Sequence, residues 1–237
     1  MPVPFGYGEL ATVVVAIDGP AASGKSSTAH WVAQELGFRH VDSGSLYRAA
    51  AAVAMRTGLP PEAWTEDTVL EAARGVALRP EATSFAPTVD GIPLEEELRG
   101  APVTQQVSRV AQMPRVREWV NATVRTAASG HRVVVDGRDI GTAVFPEAQL
   151  KIFLVADPWE RARRRLIQRL ARRPADDEIA EETERLVRRD ALDAGQTVQA
   201  GDAVLIDSTS LTQAEQVERI VALARAVTHR GSTTSSG

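Results

Sequence analysis

The chain has 237 residues, 43% apolar and 24% charged, with a net charge of −4, which allows one large domain with a full interior and excludes a disordered, fibrous or membrane-spanning chain. The absence of cysteine excludes disulfides, thiolate metal sites and cysteine nucleophiles, and the acidic balance counts against a general nucleic-acid binder. Four scattered histidines, His30, His40, His131 and His229, show no ligand spacing; they read as surface or packing residues, and no structural metal is assigned. No apolar run approaches a membrane span and the N-terminus lacks a basic-then-apolar leader, so a cytoplasmic protein without membrane contact is expected.

Residues 1–12, with two prolines and two glycines, read as a flexible lead-in. The apolar run Val13 to Ile17, meeting Asp18, predicts a buried strand. Gly19, Pro20, Ala21, Ala22, Ser23, Gly24, Lys25 and Ser26 then stand in the spacing G-x-x-x-x-G-K-[ST]. Ser27 to Leu36 predicts a helix with Ala29, Val32, Ala33 and Leu36 on one face and Gly37 as its stop. Strand, glycine loop and helix N-terminus in succession are the context in which this motif cradles phosphate. The glycines let backbone N–H groups approach phosphate oxygens, and the helix N-terminus adds partial positive charge. Lys25 would reach the β- and γ-phosphates, and the Ser26 hydroxyl would hold Mg²⁺. A chance glycine turn is a weak alternative, because Lys25 and Lys151 are the only lysines among 27 basic residues.

Phe38 to Val41 predicts a second strand, and Asp42-Ser43-Gly44 an N-cap for a helix over Ser45 to Thr57. Past Gly58 the periodicity weakens. A helix over Trp64 to Gly75 and short strands at Val76 to Arg79, Thr88-Val89 and Ile92-Pro93, around the turn Asp90-Gly91, suggest an inserted subdomain. Helices over Thr104 to Val110 and Val116 to Ala128 come next. Further buried strands are predicted at Arg132 to Val135, Leu150 to Val155 and Ala203 to Ile206, with a final helix over Gln213 to Val227 and a polar, disordered tail from His229 to Gly237. Strands alternating with helices indicate an α/β protein with a parallel sheet covered on both faces, whose ligands bind beyond the carboxyl ends of the strands.

Glu160 to Arg189 is dense in arginine. Arg161, Arg165, Arg169 and Arg172 share a helical stripe, opposite an apolar side of Ala162, Leu166, Ile167 and Leu170. Asp176 to Glu184 is acidic, and Arg185, Arg188 and Arg189 return to positive charge. Two readings stay open for these arginines: a solvated helical hairpin whose halves pair with each other, or a mobile cover bringing guanidinium forks over phosphate oxygens.

The segments GPAASGKSS at Gly19 to Ser27, DSGSLYR at Asp42 to Arg48, PRVRE at Pro114 to Glu118 and DGRDIGTAVFP at Asp136 to Pro146 occur in that order. Together they resemble the bacterial cytidylate kinases, nucleoside monophosphate kinases, with similarity from about Val13 to Val227. The resemblance implies a P-loop three-layer fold with a central parallel sheet, an inserted monophosphate-binding subdomain and a small helical lid. In that frame a single kinase domain spans 13–228: core 13–42, 129–157 and 200–228, monophosphate-binding region with insert 43–128, and lid 158–199. The ends 1–12 and 229–237 fall outside it. The resemblance further implies a monomer that phosphorylates CMP and dCMP with ATP and Mg²⁺, releasing ADP, in pyrimidine nucleotide metabolism.

Residue by residue, Gly19 to Ser27 would bind ATP. Ser43, Tyr47 and Arg48 match the acceptor-nucleotide segment, Ser108 and Arg117 the positions that read cytosine, and Asp139 one that contacts the acceptor's sugar. Arg138 and Arg189 match phosphate-binding arginines, and Arg161 or Arg165 would join them on lid closure. Without the resemblance, Arg138 and Asp139 read equally well as an ion pair at a strand end. The chain departs from the family at Gln196, where a further lid arginine is the rule; a neutral amide cannot replace a charged fork, so Arg185 or Arg188 would have to supply the charge or CMP would bind more weakly. Alternatives are another P-loop kinase of the uridylate, adenylate or shikimate type, a nucleotide switch, for which no N-K-x-D segment is found, and an RNA-binding module on the Arg161 stripe, against which the acidic neighbours count.

Overall fold

The structure is a computed structural model that describes residues 12–230 apart from 95–97 and 99. Most of the expected lead-in and tail lie outside these residues. In chain order the elements are β1 (Val13–Asp18), α1 (Lys25–Leu36), β2 (Arg39–Asp42), α2 (Ser43–Arg56), α3 (Glu66–Ala72), β3 (Val76–Pro80), β4 (Phe85–Val89) and β5 (Ile92–Pro93). They continue with α4 (Ala101–Ala111), α5 (Pro114–Ala128), β6 (Arg132–Asp136), β7 (Leu150–Val155), α6 (Pro158–Leu170), α7 (Asp176–Asp193), β8 (Val204–Asp207) and α8 (Gln213–Arg230).

Five strands form one sheet in the order β2–β6–β1–β7–β8, parallel at every pairing. Alternation along the strands explains why both faces are covered. Val14 and Ala16 of β1 and Val133 and Val135 of β6 join the core beneath α2, α4 and α5. Val15 and Ile17 of β1 and Val134 of β6 join the core beneath α1 and α8. A strand with period 2 and apolar side chains at every position is therefore central to a three-layer α/β domain, as expected. The register places the last residues of β2 and β6, Asp42 and Asp136, side by side, with Ile17 of β1 opposite Asp136 on its other flank. The carboxyl edge of the sheet is thus lined with acids.

β3, β4 and β5 form a separate antiparallel sheet, the predicted insert, joined to the edge strand β2 where the His40 N–H donates to Thr83 O. β4 is longer than Thr88-Val89 and runs through Pro87. Pro87 stands opposite Leu94, just past the end of the two-residue β5: its O takes the Leu94 N–H, and the one reciprocal bond that proline cannot donate falls at the end of the ladder. The helix expected over Trp64 to Gly75 is shorter. Thr65 and Thr68 form a capping box at the start of α3, and Trp64 stays extended outside it, donating its indole N–H to Leu59 O. At the other end α8 continues through His229 to Arg230, so the first two residues of the expected tail are helical.

α6 and α7 make an antiparallel hairpin. Its small core, Ala162, Leu166, Ile179 and Leu186, includes Ala21 of the glycine loop. Ile167, assigned from sequence to the apolar side of α6, is exposed, because that side turns toward α7 only through Ala162, Leu166 and Leu170.

Candidate active site

The loop after β1 has the backbone that its glycines predict. At Gly19 φ is +145°, and a Cβ there would lie 2.1 Å from Leu154 O, so any side chain would break the contact with β7. Gly24, at φ 90°, is the left-handed N-cap of α1. Pro20, Ala21, Ala22 and Ser23 form the arch, and Ser26 and Ser27 are exposed on the first turn of the helix. Lys25 is buried and folds back over the arch, its ammonium donating to Pro20 O and, at 3.3 Å, to Ser23 Oγ. Burial above all, then the charge of Arg138, lowers the Lys25 pKa, while Asp136, Asp18 and Asp190 oppose this.

Next to this loop stands Asp136 at the end of β6, 2% exposed. Its Oδ2 accepts from Ser26 Oγ at 2.6 Å and its Oδ1 from His40 Nε2 at 2.7 Å. Burial by itself would lower the His40 pKa, but its hydrogen bond to Asp136 prevails and raises it. Asp136 is held low by the same contact against the opposing effect of burial. Ser26 and Asp136 are hard oxygen donors at the ends of adjacent elements, the donor set that suits Mg²⁺ beside a phosphate loop. Asp18, at the end of β1, accepts the N–H groups of Ile140 and Gly141, both at 2.8 Å. It thereby ties the donor loop's strand to a single π-helical turn, Ile140–Val144. Arg125 holds the far end of that turn by donating to Val144 O and Ala143 O. Burial pushes the Asp18 carboxyl up to about 6.

On the other side of the cleft, guanidinium groups gather. Arg189 is half-buried, and its pKa falls to about 10 through desolvation first and then the charges of Arg138, Arg48 and Arg165. The Nε atoms of Arg138 and Arg189 are buried and, among the described residues, have no hydrogen-bond partner; Asp193 lies 3.5 and 3.8 Å away. Like charges with buried, unsatisfied donors are costly unless an anion completes them. Arg165 additionally pairs with Glu182 at 2.9 Å.

A polar wall continues from this cluster. Arg117 of α5 donates one Nη to Gln196 Oε1 at 2.7 Å and the other to Asp139, and its guanidinium lies 6.0 Å from the Tyr47 ring centroid. Tyr47 is buried, and burial pushes its hydroxyl up to about 12, so it stays a neutral donor. Ser43 is drawn in differently: its hydroxyl donates to Asp136 O at 2.7 Å, knitting the start of α2 to the end of β6. Ser108 is half-buried on α4 and, among the described residues, forms no hydrogen bond with this group.

Arg161 sits differently from an arginine riding on a cover. It is 3% exposed and fully engaged, with Ala156 O at 3.1 Å, Ala21 O at 2.7 Å and Asp190 Oδ2 at 2.7 Å. Asp190 in turn accepts from the Ala21 N–H. Arg161 and Asp190 thus clamp the crown of the glycine loop to the hairpin. The other arginines of the stripe fit the self-paired reading: Arg165 and Arg169 face the buried Glu182, as Arg185 of α7 also does, and Arg172 pairs with Glu178.

The structure therefore brings together the glycine loop, Lys25, Ser26, Ser43, Arg48, Tyr47, Arg117, Arg138, Asp139, Arg165 and Arg189, and leaves Ser108 at the margin. Sequence reasoning passed over the side chains of Asp18, Asp136, His40 and Asp193. For the first two a signal existed, since each is an acid ending an apolar strand beside a motif; for His40 and Asp193 there was none.

A model of the family described as cytidylate kinase matches residues 15–226. The cytidylate kinase of Geobacillus kaustophilus is 43% identical over 216 residues, 88% of this chain and 95% of its own. That of Caldanaerobacter subterraneus is 42% identical over 216 residues, 88% and 93% of the two chains, and that of Mycobacterium avium 40% identical over 225 residues, 91% and 96%. With its motifs, the family model and these relatives in agreement, the chain belongs to the cytidylate kinase family.

Proposed function

We propose that this chain transfers the γ-phosphoryl group of ATP to the phosphate of CMP or dCMP. The observation that carries the reading is the arginine cluster of Arg48, Arg138, Arg165 and Arg189, with two buried guanidinium nitrogens that make no hydrogen bond among the described residues. It lies between a phosphate loop and a hydrogen-bonding wall of Arg117, Asp139 and Tyr47. A monophosphate acceptor is already an oxyanion near neutral pH, so no general base is needed; positioning and charge neutralisation suffice. The loop from Gly19 to Ser27 holds the donor phosphates. Ser26 and Asp136 would hold Mg²⁺, which supplies further neutralisation of the β- and γ-oxygens. Lys25 leaves Pro20 O for phosphate oxygens, Arg48, Arg138 and Arg189 take the acceptor phosphate, and the wall reads the nucleoside. The Arg161–Asp190 clamp couples the hairpin to the loop, so that donor binding and closure of the hairpin are one event, and water is excluded from the transferring group.

In this reading the core is 13–42, 129–157 and 200–228, the acceptor region 43–128 and the lid 158–199, and the enzyme is a cytoplasmic monomer acting on free nucleotides, with no nucleic-acid or membrane partner. Among the described residues no helix is long and apolar enough to cross a membrane. A coupled ADP-release assay across CMP, dCMP, UMP, AMP and shikimate tests the acceptor. CMP and dCMP should exceed the others by at least about tenfold in kcat/KM, a difference of about 1.4 kcal/mol; preference for AMP or shikimate refutes the reading. Light scattering on the purified chain checks the monomer.

A further inference from the structure

We propose that His40 is a positioning residue that aims the Asp136 carboxylate at Ser26 and the donor's metal. The inference rests on the proposed function, in which Ser26 and Asp136 face Mg²⁺ bound with ATP.

His40 lies on β2, the edge strand beside β6, in register with Val134. Its ring is almost wholly buried, its backbone N–H is taken by Thr83 O, and the His30 ring stands edge-on at 6.0 Å. Nε2 is thereby delivered to Asp136 Oδ1 at 2.7 Å, while Oδ2 meets Ser26 Oγ at 2.6 Å. A carboxylate turns about a broad, two-fold torsion, and a buried one with a single partner would turn toward the nearest cation. Lys25 is one such cation, for its charge already acts on Asp136 although its ammonium is bonded to Pro20 O. Pinning Oδ1 from the neighbouring strand leaves Oδ2 directed at the first turn of α1, and leaves Lys25 for phosphate. Outer partners of this kind commonly change metal affinity or activity by about 10–100-fold.

The test uses the full chain with His40→Leu, which suits an apolar strand position but removes the donor, and His40→Gln, whose side-chain amide can offer an N–H near the place of Nε2. Binding of a non-hydrolysable ATP analogue is measured by calorimetry with and without Mg²⁺, alongside steady-state kinetics. In His40→Leu the tightening that Mg²⁺ confers should shrink about tenfold and kcat should fall about tenfold, while metal-free affinity and KM for CMP stay within about twofold; His40→Gln should recover most of both. If the Leu variant does not fold, His40→Phe, which keeps a planar ring without a donor, makes the same comparison. An undiminished Mg²⁺ effect in the Leu or Phe variant overturns the proposal, as does a Gln variant no better than Leu, or a loss spread equally over metal-free binding and KM for CMP. If the native chain gains nothing from Mg²⁺, the donor-site reading falls and this proposal with it; a native gain retained without the imidazole removes the positioning role alone.

Discussion

The two halves of the cleft are built in opposite ways. The donor half is built around one continuous stretch held by bonds within the protein: Lys25 is bonded to its own loop, Ser26 to Asp136, and Ala21 to the Arg161–Asp190 clamp. The acceptor half collects side chains from α2, α5, the segment after β6, and α7, and leaves two guanidinium nitrogens buried without hydrogen bonds among the described residues. A backbone cradle can be complete before its ligand arrives, because dipoles and N–H groups carry no net charge that needs cancelling. A cluster of cations cannot be, and it becomes comfortable only when phosphate joins it. The contrast implies that donor-side substitutions chiefly damage catalysis, whereas acceptor-side ones exchange catalysis for stability.

The largest effect should come from Lys25→Ala, with kcat reduced by about 100- to 1,000-fold, since one preorganised charge at the transferring group is worth about 3–4 kcal/mol. KM for CMP should hardly move, and single-turnover kinetics check this; equal damage to both would break the division between the halves. Next is Arg189→Met. Phosphoryl transfer should fall about 100-fold or more, yet the ligand-free chain should become more stable by about 1–3 kcal/mol in urea, because a cation whose pKa burial and its neighbours depress to about 10 is removed. A less stable variant would mean that Asp193 outweighs the three neighbouring cations.

Asp18 braces the two halves and offers a pH test. Its carboxyl binds a proton more tightly in the fold than in the unfolded chain, rising from 3.8 to about 6. Its contribution is therefore most favourable below the unfolded value and is lost as pH rises through about 6. Asp18→Asn does not titrate, so from pH 4 to pH 7 its stability relative to the native chain should improve by up to about 3 kcal/mol. Unfolding curves at both pH values measure this, and a constant difference would show that the two N–H groups of Ile140 and Gly141 fully compensate the buried charge. The smallest effects belong to the wall. Gln196→Ala removes an acceptor from Arg117 and should raise KM for CMP about three- to tenfold with kcat nearly unchanged, corresponding to about 1 kcal/mol. Ser108→Ala should shift KM in the same direction and leave stability within about 0.5 kcal/mol, since no hydrogen bond among the described residues is lost.

Gln196 also shows how the sequence can be read only halfway. The departure from a family arginine is visible there, and the nearby arginines Arg185 and Arg188 stand as the candidates for a substitute charge. In the structure Arg185 faces Glu181 and Glu182, and Arg188 faces Glu184. Gln196 instead reaches Arg117 of a different helix and orients a cation already present. Nothing local to residue 196 could reveal a partner 79 positions away. Likewise the arginine stripe of α6 is recognisable as a stripe. Which members face Glu182 and which one, Arg161, turns under the glycine loop depends on where α7 docks.

The sequence by itself determined the features that local chemistry and periodicity dictate. The apolar strands alternate between two cores, Gly19 and Gly24 permit a loop no other residue could make, Gly37 and Asp42 bound their helices, and the order of strands and helices leaves a parallel sheet as the way to cover both faces. The tertiary structure alone decided which side chains share a charge environment. Asp18, Asp42 and Asp136 are scattered along the chain but meet at one sheet edge, because parallel strands in register end together. His40 becomes the partner of Asp136 only because β2 is inserted beside β6. Electrostatic energies depend on distances and burial that the fold sets, so the charges were legible from the sequence and their pairing was not.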